Sequence, residues 1–284
     1  MHFAGVDIGS TMTKVVLIDK SDNQLSCIKG PTGPEHRRLA NEVMRQALQQ
    51  ASLQIDDISY IIATGYGRLN VPFADRQITE LSCHARGVST LFPGVRTAID
   101  IGGQDAKCMR IHDGRLISFV MNDKCAAGTG RFLEVTATAL GIKLEDMGDI
   151  SLKATKRIHI SNLCTIFAQQ EVIALLSRGE KPENIVAGLH DALASRVAAL
   201  ARRLGIEPDL VLTGGVAKNI GMVRAMKDSL GCEVLVPEEP LITGALGAAI
   251  LAKEIYTKAV EAGQVLPTKS RRLEKATFFA EEHR

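Results

Sequence analysis

Apolar and polar residues follow two distinct spacings along this chain. Five segments place apolar residues three and four positions apart, which predicts helices over 35–51, 78–91, 131–140, 165–177 and 183–204. Short apolar runs at 58–63 and 210–213 predict buried strands between them, as in a sheet covered by helices. Towards the C-terminus we expect a helix over 215–230, a strand over 233–236 and a final helix over 241–256, which is rich in Ala and Gly.

The chain contains an internal repeat. Residues 4–18 match residues 98–111, and each copy predicts an apolar strand, a turn with glycine and a second strand. A third short strand is expected after each copy, over 25–28 and 116–121. The matched positions are Asp7 with Asp100, Gly9 with Gly102, and Lys14 with Lys107. Two strand units followed by helices indicate two related α/β halves.

Length and composition fit two ordinary domains. The chain has 284 residues, of which 45% are hydrophobic and 23% charged, so we expect a globular protein with real cores. We predict a first lobe over 1–94, joined by the helix near 241–257, a second lobe over 95–240, and a charged tail over 258–284. No apolar run approaches the ~20 residues of a membrane span, and the first residues lack a secretory signal pattern.

Charge and cysteine usage narrow the class further. A net charge of +2 and 4% aromatic residues give no reason to expect nucleic acid as a partner. Six cysteines without a signal peptide favour thiols or metal ligands over disulfides. We therefore expect a cytoplasmic protein that binds neither nucleic acid nor a membrane.

The two repeated turns have the chemistry of phosphate loops. Asp7 and Asp100 each end a predicted strand beside a glycine turn, where backbone N–H groups can approach a phosphate. A bare carboxylate repels phosphate, so both are expected to hold Mg²⁺ directly or through water. One such loop fits a plain β-hairpin turn equally well. Two copies, with a third glycine turn at Gly214, favour an ATP or ADP site.

The expected roles within these loops differ. Gln104 or Asp105 is expected to position the attacking water for catalysis. The remaining positions are predicted to bind the nucleotide: Asp7, Gly9, Ser10, Thr11, Lys14, Asp100, Gly102, Gly103, Gly214, Gly215, Val216 and Lys218.

The order of the three glycine turns resembles the actin, Hsp70 and sugar-kinase ATPase superfamily over residues 3–257. This resemblance implies an α/β fold of two duplicated ribonuclease-H-like lobes, as in actin, around a nucleotide cleft. It also implies that the last helix packs back on the first lobe.

Two cysteines stand apart from the other four. Cys125 and Cys164 each precede a predicted helix, where unpaired N–H groups and the helix dipole favour a thiolate. They are too far apart for a Cys-x-x-Cys zinc knuckle. A cluster needs four protein ligands, so a two-fold homodimer would supply the other two. The alternative is that both are ordinary packed thiols, the role assigned to Cys27, Cys83, Cys108 and Cys232.

Four strings resemble the BadF/BadG/BcrA/BcrD ATPase family: 122–134, 100–105, 63–68 and 78–85. Members of that family activate 2-hydroxyacyl-CoA dehydratases or are ATPase subunits of benzoyl-CoA reductase. The resemblance implies one 4Fe–4S cluster bridging a homodimer through two cysteines of each subunit, which correspond to Cys125 and Cys164 here.

The resulting hypothesis is an ATP-dependent electron donor. Reduced ferredoxin or flavodoxin is the expected electron source, and a 2-hydroxyacyl-CoA dehydratase-type iron–sulfur protein is the expected acceptor. ATP binding is expected to move the helices that follow Cys125 and Cys164. The alternatives are an ATPase component for benzoyl-CoA reductase or another iron–sulfur acceptor, a small-molecule kinase of the same superfamily, and a nucleotide-switched protein whose cysteines hold zinc or nothing.

Overall fold

The computed structural model describes residues 1–161, 164–268 and 271–274, and the chain divides into two compact units. The first unit comprises Met1–Pro93, Asp113–Leu116 and Leu241–Arg284. The second comprises Gly94–His112 and Ile117–Pro240. Among the helices of the described ranges, none combines the length and the apolarity that crossing a bilayer requires.

The first unit is built on a five-stranded sheet with the order β3-β2-β1-β4-β5. Its strands are β1 (His2–Ile8), β2 (Met12–Asp19), β3 (Gln24–Pro31), β4 (Ile58–Thr64) and β5 (Arg76–Gln77). Strands β1, β2 and β3 pair antiparallel, whereas β4 runs parallel to β1 and to β5. β1, β2 and β4 are nearly continuous apolar runs because both faces of the sheet are covered.

Three helices cover this sheet: α1 (His36–Ala51), α2 (Glu80–Leu91) and α8 (Thr243–Glu261). Alternate residues of β1 face opposite sides, as a strand requires. Val6 and Ile8 belong to the core under α1, whereas Phe3 belongs to the core under α8. α8 packs on β1 and β4, and α2 packs on α8.

The second unit has a four-stranded sheet with the order β8-β7-β6-β9. Its strands are β6 (Thr97–Ile101), β7 (Ala106–His112), β8 (Arg115–Asn122) and β9 (Leu210–Thr213). Its helices are α3 (Gly130–Leu140), α4 (Met147–Ser151), α5 (Thr165–Ser177), α6 (Pro182–Leu204) and α7 (Ile220–Leu230). One core joins the sheet to these helices, and α6 lies in contact with β7, α4 and α7.

The predicted repeat is confirmed residue by residue. Asp7 lies opposite Lys14 in the β1–β2 ladder, and Asp100 lies opposite Lys107 in the β6–β7 ladder. The similarity between the two units extends to the parallel strand that pairs with the other edge of β1 and of β6. Asp7 is level with Thr64 of β4, and Asp100 is level with Thr213 of β9. Each unit therefore repeats the same three-strand arrangement around one aspartate.

Two predicted elements differ in the structure. The helix expected over 215–230 is divided into a short 3₁₀ helix, Gly215–Lys218, and α7, because the Asn219 side chain caps α7 by accepting from the Met222 N–H. The prediction of a strand over 233–236 is wrong. Leu235 forms only an isolated bridge to Val211, and Pro237, two residues on, has no N–H to extend the ladder.

Residues 271–274, beyond the predicted final helix, pack on the first unit. The Arg271 guanidinium donates to the Asp75 carboxylate at 2.8 Å and to the Ser59 carbonyl at 2.9 Å. Arg37 donates to the Glu274 carboxylate from two nitrogens, Nε at 2.7 Å and a terminal nitrogen at 2.5 Å. Part of the predicted charged tail is therefore bound to the first unit, and its last residues, 275–284, lie outside the described residues.

Candidate functional site

The carboxylate of Asp7 is buried at the end of β1 and only partly satisfied. Its side chain is 2% exposed, and Lys14 Nζ lies 3.0 Å from Oδ2. Oδ1 has no hydrogen-bond partner among the described residues. A Cβ on Gly65 would lie 2.4 Å from Oδ1, and one on Gly244 would lie 2.9 Å from Oδ2. A buried acceptor without a partner is costly, and Mg²⁺ or its bound water would satisfy it. The Asp7 oxygens therefore fit the predicted metal.

Asp100 occupies the equivalent position in the second unit. The Thr213 hydroxyl donates to its Oδ1 at 2.9 Å, and Lys107 Nζ lies 3.8 Å from its Oδ2. Gly214 has φ +85° and Gly65 has φ +84°, a conformation that favours glycine. In each unit a Thr-Gly turn thus lies against the aspartate. Of these two glycines, only Gly214 was predicted from the sequence to bind the nucleotide. The Thr-Gly dipeptide that both turns share is the signal that identifies Gly65 as its counterpart.

Three lysines near these turns form ion pairs. Lys14 Nζ is 3.0 Å from an oxygen of Asp7. Lys107 Nζ is 2.6 Å from an oxygen of Asp105, and Lys218 Nζ is 3.0 Å from an oxygen of Glu239. Asp105, a predicted catalytic residue, is thereby held by a neighbouring cation. Gln104, the other one, is exposed.

The remaining predicted residues lie in three turns. The turn after β1 belongs to the first unit, and the turns after β6 and β9 belong to the second. The structure brings the latter two together at Gly130. A Cβ there would lie 3.4 Å from the Gly103 Cα and 3.3 Å from Val216 Cγ2. The residues in the three turns are, in order, Gly9, Ser10 and Thr11; Gly102 and Gly103; and Gly214, Gly215 and Val216.

The turn after β6 is hydrogen-bonded to the start of α3. The Gly130 N–H donates to the Gly102 carbonyl at 2.8 Å, and the Arg131 N–H donates to the Gly103 carbonyl at 2.9 Å. The buried Thr129 hydroxyl donates to the same Gly103 carbonyl at 3.1 Å. The first N–H groups of a helix have no partner inside it, so the glycine turn satisfies them here. The turn after β6 is therefore in direct hydrogen-bonded contact with the segment that follows Cys125.

The two candidate ligand cysteines are half-buried free thiols. Cys164 is the N-cap residue of α5, as predicted. The prediction that a helix starts directly after Cys125 needs correction. A 3₁₀ helix, Ala126–Gly128, follows it, and α3 begins only at Gly130 because Thr129 is extended, with φ −138° and ψ 172°.

The other cysteines divide into two groups. Cys83 and Cys108 are fully buried, and burial raises the pKa of each thiol to about 12. Both therefore stay protonated at neutral pH. Cys27 and Cys232 are half-buried, like the candidate ligands.

Large apolar side chains are exposed beside both candidate ligands. On α5, Ile166 is 65% and Phe167 is 63% exposed, within the first turn after Cys164. On β8, which leads to Cys125, Ile117, Phe119 and Met121 project from one side of an edge strand and are exposed. Exposed apolar patches of this kind are typical of surfaces that another protein covers.

The family model of the BadF/BadG/BcrA/BcrD ATPase family matches residues 4–252. The chain belongs to this family. The 2-hydroxyisocaproyl-CoA dehydratase activator of Clostridioides difficile is 46% identical, and the alignment covers 89% of this chain and 95% of that protein. The (R)-2-hydroxyglutaryl-CoA dehydratase activating ATPase of Acidaminococcus fermentans is 44% identical over 92% of this chain and 99% of its own.

A solved structure of a family member matches closely. The activator of the 2-hydroxyisocaproyl-CoA dehydratase from Clostridium difficile with bound ADPNP superposes with a TM-score of 0.87 at 42% identity, over 95% of this chain and 100% of that chain. The predicted family, the actin-like α/β fold and the ATPase class are thus confirmed. Binding of an adenine nucleotide by this family ATPase is supported by the same match.

Proposed function

We propose that this ATPase is an activator that passes a low-potential electron to a 2-hydroxyacyl-CoA dehydratase-type iron–sulfur partner. The observation that carries the proposal is the hydrogen-bonded contact between the Gly102–Gly103 turn and the start of α3, which follows Cys125. Within one unit, this contact joins the turn that is proposed to bind the nucleotide to the segment that carries a candidate cluster ligand. The names of the relatives, activators of dehydratases of this class, support the same role.

The proposed site for the nucleotide and its Mg²⁺ depends on Asp7 and Asp100. Asp7 offers an oxygen without a protein partner among the described residues, so it is the stronger candidate for Mg²⁺, with Asp100 as its counterpart. Ser10 and Thr11 carry hydroxyls in the turn after β1 and are proposed to contact phosphate. Of the two residues proposed to position water, Asp105 is already oriented by an ion pair.

The proposed cluster is supported by the number of candidate thiolate ligands and by the exposed apolar side chains beside them. Cys125 and Cys164 are the two half-buried cysteines that stand at the starts of helical turns, and α3 and α5 pack against each other. Their counterparts in a second copy would complete four thiolates, the number a 4Fe–4S cluster takes. Bound there, such a cluster would supply one-electron transfer at low potential. The exposed Ile166 and Phe167 beside Cys164 support a homodimer, because a second copy would cover them.

Coupling requires that the nucleotide discriminate between two states of the chain. ATP and ADP differ only in the γ-phosphate, so the two states must differ in how well a group such as a glycine turn contacts that phosphate. The carbonyls of Gly102 and Gly103 accept from the first N–H groups of α3. A shift of the turn would therefore re-orient α3 and the adjoining Cys125 segment. Ferredoxin or flavodoxin remains the proposed electron source.

The test is an anaerobic assay with the reduced, full-length protein. We expect this protein to activate a 2-hydroxyacyl-CoA dehydratase only when ATP and Mg²⁺ are present. Activation of benzoyl-CoA reductase alone would assign it to the alternative partner. Phosphate transfer to a small molecule without any electron transfer would favour the kinase alternative and contradict the proposal.

A further inference from the structure

The turn after β4 carries a cation that none of the roles above uses. Its residues, 65–68, lie within the string 63–68 that resembles the family, and a short 3₁₀ helix, Arg68–Asn70, follows. Tyr66 and Leu69 are each 77% exposed, so the turn lies at the surface of the first unit. Arg68 itself is partly exposed. A ligand can therefore approach this turn from solvent.

This turn is fixed against the end of β1, where the proposed phosphate turn begins. The Gly67 N–H donates to the Ile8 carbonyl at 2.8 Å, and Gly9 follows Ile8 directly. A Cβ on Gly67 would lie 2.5 Å from Ile8 Cγ2, so this close contact requires glycine. The turn after β4 and the turn after β1 are therefore neighbours within one unit.

The Arg68 guanidinium lies on the Asp7 side of this turn. Its Nη1 donates to the Gly65 carbonyl at 3.1 Å, and a Cβ on Gly65 would lie 2.4 Å from Asp7 Oδ1. The buried Cys83 thiol supports the same placement. Burial is the main cause that raises the pKa of this thiol to about 12; of the smaller effects, the Asp7 carboxylate raises this pKa and the Arg68 cation lowers it. Both charges therefore lie within electrostatic reach of one sulfur.

Most of the hydrogen-bonding capacity of Arg68 is left over. A guanidinium has five N–H donors, and this one makes a single side-chain hydrogen bond within the described part of the chain. No carboxylate of the described residues lies at ion-pair distance from it. The two carboxylates that act on the same thiol are engaged elsewhere: Asp7 lies 3.0 Å from Lys14 Nζ, and Glu80 lies 3.7 Å from His84 Nε2. Arg68 is therefore a cation that an anionic ligand can still engage.

The internal repeat supports a role for this cation at the nucleotide. In the second unit the Thr-Gly turn is likewise followed by a short 3₁₀ helix, Gly215–Lys218, that carries a cation. Lys218 was predicted from the sequence to bind the nucleotide, and its Nζ lies 3.0 Å from an oxygen of Glu239. Arg68 is the cation of the corresponding 3₁₀ helix in the first unit, and within the described ranges it has no such carboxylate partner.

We propose that Arg68 pairs with the γ-phosphate of the ATP that binds at the turn after β1. A guanidinium matches a phosphate with two parallel N–H···O bonds, which a lysine cannot form. Mg²⁺ bridges the β- and γ-phosphates in ATPases, so a metal at Asp7 draws the γ-phosphate towards Arg68. The inference rests on the nucleotide site proposed above, and it is independent of the electron-donor role.

The experiment measures the affinity of the full-length protein for ADPNP, a non-hydrolysable ATP analogue, and for ADP, by calorimetry with Mg²⁺. Arg68→Gln is expected to weaken ADPNP binding about tenfold to a hundredfold, the effect of losing hydrogen bonds to a charged group. It should weaken ADP binding by less than about twofold, because ADP lacks the γ-phosphate. Unchanged affinity for ADPNP would overturn the proposal. Equal losses for both nucleotides would also overturn it, because that result is expected if Arg68 only holds the turn through the Gly65 carbonyl.

Three further variants complete the test. Arg76→Gln is the matched control, because it removes an exposed arginine of β5 in the same unit that is not part of the turn, and it should change neither affinity. Arg68→Lys keeps the charge and a donor for the turn but not the two-pronged geometry, so we expect a smaller loss that is still confined to ADPNP. Should Arg68→Gln fail to fold, unchanged ADPNP affinity in Arg68→Lys would overturn the proposal instead. Asp7→Asn tests the nucleotide site itself: Mg²⁺-dependent ADPNP binding that survives this change would contradict the site, whereas a normal Arg68→Gln with a defective Asp7→Asn would overturn only the role of Arg68.

Discussion

Replacing Thr129 by Val tests the connection between the glycine turn and the Cys125 segment. The Thr129 side chain is fully buried, and the single proton of its hydroxyl is shared between the Gly103 carbonyl at 3.1 Å and the Ala126 carbonyl at 3.0 Å. Valine has nearly the same shape, so the change removes these bonds without opening a cavity. The Gly103 carbonyl keeps its bond from the Arg131 N–H, at 2.9 Å, so it is not left unsatisfied.

Because the Gly103 carbonyl keeps its bond from the Arg131 N–H, the free-energy cost of Thr129→Val is that of a lost hydrogen bond alone. A lost hydrogen bond costs about 0.5–1.5 kcal/mol when no buried group is left without a partner. At 1.4 kcal/mol for each factor of ten, the equilibrium between the two nucleotide states should change by roughly two- to tenfold. We expect the ATP-driven rate of partner activation to fall by that factor, and the apparent affinity for ATP to fall by no more than that factor, because both depend on the population of the state that ATP prefers.

The control is Thr138→Val on the same helix. Thr138 is exposed, and its hydroxyl donates only to the Glu134 carbonyl within α3, at 2.9 Å. Both variants are compared by the rate of dehydratase activation and by ATP binding, under anaerobic conditions. Equal activation rates for the two variants, or a loss of ATP affinity larger than the loss of activation in Thr129→Val, would refute the proposed connection.

Three further predictions follow from buried groups. Asp7→Asn should abolish Mg²⁺-dependent ATP hydrolysis, since it removes the charge of the carboxylate whose Oδ1 is unpartnered among the described residues; normal turnover would contradict its metal role. Arg271→Met should destabilise the first unit by about 3 kcal/mol, because it removes the cation that pairs with the Asp75 carboxylate, whose side chain is 0% exposed. Replacing the exposed Arg272 by Met should change stability by less than about 0.5 kcal/mol in the same denaturation experiment. In the native protein at pH 8, iodoacetamide should spare Cys83 and Cys108, whose pKa values of about 12 keep them protonated; their rapid labelling would disprove this.

The sequence was sufficient for the parts of the fold that repeat a recognisable spacing. Aspartate, glycine and lysine recur at the same positions in both halves, and the ladders align them as expected. The Thr-Gly match between Gly65 and Gly214 was missed, because two residues carry little signal until parallel pairing places each beside its aspartate.

Other features depend on contacts between distant residues. The segment after Cys125 has the small residues of a helix, yet it forms a 3₁₀ helix because Thr129 bonds to the glycine turn. The hydrogen bond between the Asn219 side chain and the buried His190 depends on the cap that Asn219 makes on α7, which no local pattern shows. The return of Arg271 to Asp75 joins positions far apart in the chain, so spacing alone could not predict it.

Iron analysis of oxygen-free protein decides whether Cys125 and Cys164 hold an iron–sulfur cluster. We expect about four irons and four sulfides per dimer, the content of one 4Fe–4S cluster with four cysteine ligands. Cys125→Ala and Cys164→Ala should each remove this iron while ATP binding persists, and Cys232→Ala, at a half-buried cysteine without an assigned role, should leave it in place. Protein that stays monomeric and free of iron after reconstitution, or that keeps its iron in both ligand variants, would disprove a cluster shared between two subunits.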